Sequence, residues 1–383
     1  MKKLILLLIT LSFSLVATAD KSGTCGDNLT WTYETATKKL TISGNGDMKD
    51  YSPLTPSPWY SYYDSNSVTN VVIEEGVTSI GNYAFYECSN LQSISMPNSL
   101  ISIRQRAFYK CYGLTLINIP NGVTSISNGA FEETGLTSVT IPNSINVINY
   151  DVFAGCTSLT NVTIPNSVVV IADRAFSRCA LNSVVIPNSV TSIGNSAFEY
   201  CKMNTVIIPN SVKSIGNSAF QACTEMHSIT IGDSVEKIGE KAFLYCNNLA
   251  RVYCYPEIAP SSTNPAFDYS AIIFVSETAY SSYINAPGWV NRTIRTKEVD
   301  PIEDGGIWYY LGVITPFAEV TNNPNIIYEK GIYEIPEKIV YDDKEYIVKY
   351  IGSEAFKGCE NLVKITFPNK LTSIGYSAFD GCI

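Results

Sequence analysis

The sequence predicts a solenoid, a rod of short coils stacked one on another, each carrying one short parallel strand. Three observations point to it. Phe85, Phe108, Phe131, Phe153, Phe176, Phe198, Phe220 and Phe243 follow one another at intervals of 22 or 23 residues, inside the range of stacked-coil repeats. Around each lies the pattern L-x-x-V-x-I-P-N-S-V-x-x-I-G-x-x-A-F-x-x-C, as in "IPNSVTSIGNSAFEYC" from Ile186 and "IPNSVKSIGNSAFQAC" from Ile208. Finally, a unit this short cannot fold alone. The apolar burial it supplies falls short of the entropy lost on ordering it, so like units must share one core.

Each part of the unit has a physical reading. In "LTNVTIPNSV" the apolar residues are Leu159, Val162 and Ile164, and the Val-x-Ile alternation puts two side chains on one face of a strand. Proline follows at Pro97, Pro120, Pro142, Pro165, Pro187 and Pro209; it has no backbone donor, so each strand should stop there. Stacking in register at about 4.8 Å sets phenylalanine over phenylalanine. It also makes a column of Ile103, Ile126, Ile148, Ile171, Ile193, Ile215 and Ile238. Asn98, Asn121, Asn143, Asn166, Asn188 and Asn210, continued by Asp233, form a further column, expected to be structural. Gly81, Gly194, Gly216 and Gly239 share theirs with Arg104, Ser127, Asn149 and Ala172, so a positive φ is not required there.

These units, continuous from Val68 to Cys254 and resumed from Tyr350 to Cys382, resemble the BspA-like family of leucine-rich repeat proteins of bacterial and some protist surfaces. The resemblance implies a right-handed leucine-rich repeat solenoid with one short parallel strand and one short helical turn per repeat of 22–23 residues. The sheet would be concave and the Ala-Phe turns convex. Attachment to matrix proteins such as fibronectin is implied in the same way.

The open ends of a solenoid need covers, and the remaining sequence divides accordingly. Residues 1–19 have the three parts of a secretory signal: Lys2 and Lys3, an apolar stretch from Leu4 to Val16, and Ala17-Thr18-Ala19 before a cleavage site. That stretch is 13 residues, against the roughly 20 needed to span a bilayer, and the mature chain is expected to hold no transmembrane segment. Residues 20–67 form an N-terminal β cap, with a hairpin from Leu29–Tyr33 and Leu40–Ser43 and aromatics in "SPWYSYYD" over the first coil. The array occupies 68–254. Residues 255–299, with Trp289, close it, and 300–349 form a β-rich linker or cap in which "IWYYLGV" opens new strand-rich sequence and Asp342-Asp343 marks a hairpin. A second, incomplete array fills 350–383. Its end is uncapped, so truncation or self-association through that end is expected.

Charge and chemistry exclude more than they assign. Without Lys2 and Lys3 the chain carries 24 basic against 35 acidic residues, a net charge of −11. That sign opposes binding to nucleic acid or to anionic membranes. Nine of the eleven cysteines fall in one repeat column, with Thr134 filling it once. Neighbouring Cβ atoms in such a column run parallel, the wrong geometry for a disulfide, so buried free thiols are expected; Cys25 and Cys254 lie outside the column. The single histidine, His227, follows Met226 at a variable position and is expected on the surface. Every histidine-based catalytic scheme or zinc site would have to run through it. "GNGDMK" lacks a phosphate-loop context, and Glu74-Glu75 and Asp342-Asp343 read as solvated turns. The chain is not expected to be an enzyme, nor to need a cofactor or metal.

The binding face follows from the strand alternation. Between the two apolar strand positions lie Ser95, Asn118, Thr140, Thr163, Val185, Ile207, Thr230 and Tyr253, a row that begins with Val72. Most of these residues are small and uncharged. They are equally good exposed-strand residues with no ligand. The function expected is a secreted or cell-surface binding protein, adhering to an extracellular protein or other cell-surface ligand. The alternative is a scaffold that only spaces other modules.

Overall fold

The structure is a computed structural model and describes residues 21–60, 68–262, 265–268, 270–290, 292–296, 302–304, 307–311, 317–321, 331–341, 343–352, 355–375 and 378–382. The signal segment and Ser61 to Asp64 of the aromatic stretch lie outside these residues. Lys21–Gly26, Leu29–Glu34 and Lys39–Gly44 form an antiparallel sheet. Leu29, Trp31 and Tyr33 face inward while the residues between them face water. The third strand then pairs in parallel with Asn70–Ile73, Leu40 opposite Val71 and Ile42 opposite Ile73. The hairpin thus ends by becoming the first rung of the array.

Each following coil has three sides. The first is the strand before the proline, seen in Ser93–Ser95, Ser138–Thr140, Asn161–Thr163, Thr205–Ile208, Ser228–Ile231 and Arg251–Cys254. Pairing is parallel and in register, Val139 with Val162, Ile229 with Val252. At 116–118 and 183–185 the chain holds its place without forming a strand, which divides this sheet into three pieces. The second side is another parallel ladder, built from two-residue strands such as Ser102–Ile103, Val170–Ile171, Ser192–Ile193 and Ser214–Ile215. The isoleucine column is here, with Ile171, Ile193 and Ile215 buried in line. One strand per repeat was expected, and most coils have two; a pair of residues is too short to show alternation in sequence.

The third side corrects the expectation of helical turns. Among the described residues the α-helix Tyr280–Ile284 is the sole one, and the Ala-Phe segments are chains of turns. Residues two before and two after each phenylalanine adopt positive φ, Ser196 at 52° and Tyr200 at 60° around Phe198. The alternation turns every second N–H toward the next coil: Ser196 donates to the Asn217 carbonyl at 2.8 Å, Phe198 to Ala219 at 2.7 Å, Tyr200 to Gln221 at 2.9 Å. The intervening donors bend back within the coil, Glu199 to the Ser196 carbonyl at 3.2 Å and Cys201 to the Phe198 carbonyl at 3.2 Å. A helix directs its donors along its own axis and would leave neighbouring coils untied.

Inside this frame the phenylalanine rings stack nearly parallel, 5.2 Å and 7° between Phe85 and Phe108, 5.3 Å and 6° between Phe220 and Phe243. The stack runs past Cys254: Phe267, 24 residues after Phe243 in the chain, lies 4.8 Å from it at 2°. A tryptophan closes each end. Trp59 lies 5.7 Å from Phe85 and donates Nε1–H to the Ala84 carbonyl at 2.8 Å. Trp289 lies 5.6 Å from Phe267 and donates to the Pro260 carbonyl at 2.9 Å. Ile272–Phe274 and Thr293–Arg295 extend the first sheet in parallel, so the closing segment itself carries repeat-like rungs.

All eleven cysteines are free, and all but the half-buried Cys382 are buried. Column thiols donate to the phenylalanine carbonyl of the preceding coil, Cys179 to Phe153 at 3.1 Å and Cys201 to Phe176 at 3.2 Å. Thr134, which interrupts the column, donates to the Phe131 carbonyl of its own coil at 3.0 Å and lies 3.2 Å from the Cys156 thiol. Burial pushes the Cys88 and Cys201 thiols each up to about 12.

Two polar columns run along the coils. Asn98 through Asn210 are exposed, with Asn210 and Asp233 bonded by side chain and backbone at 3.0 and 3.2 Å. A more regular ladder uses another position: Asp173 Oδ1 accepts the Asn195 N–H at 2.8 Å, Asn195 accepts that of Asn217 at 2.8 Å, and Asn217 that of Glu240 at 2.9 Å. Glycine in its own column permits close approach, since a Cβ on Gly216 would lie 2.5 Å from Asn195 N and Gly194 C.

A second core, separate in its buried residues, contains Ile307, Tyr309, Val320, Ile339, Val348, Ile351 and Phe356. Lys338–Tyr341 and Lys344–Ile351 form the expected hairpin, with Asp343 at φ 56° in its turn; Asp342 lies outside the described residues. Phe356 and Phe379 stack at 5.3 Å and 4°, and Tyr333 packs 5.9 Å from Phe356.

Phe176→Ala should cost about 3–5 kcal/mol in guanidinium unfolding, because the ring is fully buried between two others. Ser196→Gly should stabilise by up to about 1 kcal/mol, by relieving a left-handed backbone position that Gly129 fills in another coil. Denaturing the protein without reductant should release eleven titratable thiols, while the folded protein reacts quickly at Cys382 at most.

Candidate binding face

The strand before each proline places two apolar side chains in the core, and the residue between them points away from it. Ser95, Asn118, Thr140, Thr163, Val185 and Ile207 are exposed, and Thr230 and Tyr253 are half-buried. Register aligns them across the coils: Val72 is opposite Ser95, Thr140 opposite Thr163, Ile207 opposite Thr230, and Thr230 opposite Tyr253. The paired residues form rows on one side of the three sheet pieces, and Asn118 and Val185 occupy the same repeat position in the two coils where no strand forms. No Asp, Glu, Lys, Arg or His interrupts them.

The row changes character along its length. Its early part is hydroxyl and amide. Val185 and Ile207 are 82% and 68% exposed, an apolar step that water solvates poorly. Beyond them Tyr253 stacks on Phe274 at 5.4 Å and 21°. Phe274 was not placed on this face from sequence, because the repeat pattern no longer frames it there. Beside Ile207 and Thr230 lies an open groove of about 480 Å³, bounded by Pro209, Asn210 and the ring of Tyr255. Sequence reading missed this groove too.

Charged residues lie elsewhere and tie coils together. Arg174 forms a two-pronged contact with Asp151 at 2.7 and 2.9 Å, and Lys110 lies 3.7 Å from Glu87 and 5.0 Å from the Tyr109 ring centroid. Glu75 accepts the N–H groups of Asn98 and Ser99 at 2.9 and 3.2 Å, and these bonds hold its carboxyl below the usual range. Such exposed contacts contribute little individually. His227 is exposed, as expected, and Met226 before it is buried. Among the described residues, no group of three or more His, Cys, Asp or Glu is arranged to hold a metal ion. No helix among them is long and apolar enough to cross a membrane.

No curated protein matches the chain. Among solved structures it is similar to a leucine-rich repeat protein from Bacteroides ovatus: 21% identity, covering 94% of this chain and 92% of that one, TM-score 0.43. It is also similar to a leucine-rich repeat protein from Eubacterium ventriosum: 19% identity, 95% of each chain, TM-score 0.39. A leucine rich cell surface protein from Faecalibacterium prausnitzii is 23% identical over 74% of this chain and 97% of that one, TM-score 0.37. The sequence profile described as "BspA type Leucine rich repeat region (6 copies)" matches residues 58–182, 169–280 and 338–383. With more than half of the chain inside those spans, the protein belongs to the BspA-type leucine-rich repeat family.

Proposed function

We propose that the protein is a secreted or surface-displayed binding protein whose solenoid adheres to a host matrix protein or to other cells. The observation that carries this reading is the repeated outward position from Ser95 to Tyr253, exposed or half-exposed in every coil and free of charge. A face of this kind meets a partner without desolvating ions, which is the costly part of burying a polar surface. Few large anchors lie along its first part, so its affinity comes from length, many weak contacts acting together. Export is supported by the signal-like residues 1–19. Membership in the BspA-type leucine-rich repeat family, similar to repeat proteins of bacterial surfaces, supports display outside the cell.

A scaffold that only spaces other modules is favoured by one observation, the second core that follows the closed first array. Solution binding separates the two. Residues 20–299, once shown folded by circular dichroism, should bind immobilised matrix protein or intact cells with a saturating curve. Flat curves up to tens of micromolar would favour the scaffold. Replacing Thr140, Thr163 and Thr230 together by Lys should weaken binding roughly tenfold without lowering the melting temperature. Unchanged affinity would remove this row from the interface.

A further inference from the structure

We infer that the groove beside the C-terminal part of the face is a binding site for a neutral oligosaccharide. The site arises where the repeat departs from its own pattern. The column of buried prolines that ends each strand runs Pro187, Pro209, and then becomes Gly232 and Tyr255. Gly232 supplies no ring, and Tyr255 stands 59% exposed one coil further on. The result is a notch with the edge of Pro209 on one side and an aromatic plate on the other, open to about 480 Å³.

The lining is suited to sugar. It offers the carboxamide of Asn188 and the hydroxyl of Thr230, with the exposed Ile207 side chain beside them and Asn210 held by Asp233 at the rim, and the lining itself holds no acid or base. Sugar rings present hydroxyl edges and apolar C–H faces, which pair with amides and with an exposed aromatic ring respectively.

The margin sets the ligand's charge. Asp233, bonded to Asn210, and Glu257 stand on the side of the groove toward the next coils, where Lys213 is matched by Glu236 at 3.7 Å; the excess acid there disfavours sulfated or sialylated chains. Spacing sets its form. The walls at Pro209 and Tyr255 stand two coils apart along the solenoid axis, roughly 10 Å, so the notch admits one or two sugar rings. The inference does not depend on protein binding by the row, although Ile207 and Thr230 belong to both.

Titration calorimetry of the full chain with cellopentaose and with penta-N-acetylchitopentaose tests it, with a heparin-derived pentasaccharide as the charged probe. At least one neutral probe should bind. Tyr255→Phe should keep that affinity within about twofold and Tyr255→Ala should lose about tenfold, with the thermal melt of each variant unchanged. Matrix-protein binding should survive Tyr255→Ala, which separates this site from the proposed adhesive row. No heat with either neutral probe at several millimolar would overturn the inference. So would affinity indifferent to Tyr255→Ala, or heparin binding as tightly. An uncharged Ser/Thr-rich peptide that binds in a Tyr255-dependent way while the sugars do not would overturn it as well, by giving the groove to protein.

Discussion

Neighbouring coils are tied by backbone donors on all three sides, and the turn side is the most demanding of the three. There Ser196, Phe198 and Tyr200 each send an N–H to the following coil while the residues between them close turns at home. That division of labour requires the left-handed conformation twice per coil, at residues as unsuited to it as Arg174 and Arg178. The local cost is tolerated because each strained residue frees a donor that would otherwise be buried and unpaired. The core depends on this arrangement. With the turn backbones locked one coil apart, Phe153, Phe176 and Phe198 have no placement other than ring over ring.

The cysteine column has its place in the same scheme. A phenylalanine carbonyl such as that of Phe176 already accepts the N–H of Cys179 in its own coil at 3.2 Å. Its second lone pair receives the thiol of Cys201 from the next coil. Serine would carry a stronger donor but desolvate a more polar group, and alanine would leave a gap; a thiol is apolar enough to bury and still donates weakly. Threonine at 134 meets the same carbonyl type from within its own coil. Oxidising surroundings are thus compatible with many cysteines that never pair, because column geometry holds them apart from disulfide alignment.

What could be read from sequence was whatever repeats at long range with a strong chemical signature. The phenylalanine and isoleucine columns and both hairpins stand as read, and so do most strands ahead of proline, although the segments before Pro120 and Pro187 form none; the exposure of the row from Ser95 to Tyr253 follows from the same apolar alternation. Other features leave little trace. Strands as short as Ser192–Ile193 contain no period. Positive φ at Ser196, Tyr200 or Lys241 is imposed by neighbours rather than encoded by residue type, since glycine occurs at such positions only in a few coils. Phe267 escaped because "NPAFDY" lacks the "IPNSV" segment that frames the other rings. The groove at Gly232 and Tyr255 was visible as a break in the proline column, but only the fold shows that the two positions are adjacent.

The turn-side bonds all point one way, donors forward and acceptors backward, and the one-residue difference between coils is confined to the corner between the cysteine column and the next leucine, as in Cys179 to Leu181 against Cys156 to Leu159. A whole unit is therefore an interchangeable part: any copy spliced in after any other offers the same hooks to both neighbours, and slack at the corner absorbs mismatches of length. Tandem duplication in the gene can lengthen such a rod at a single stroke without redesigning either flank. The near-identity of the segments beginning at Ile186 and Ile208 shows how little one unit needs to differ from the next to occupy its place.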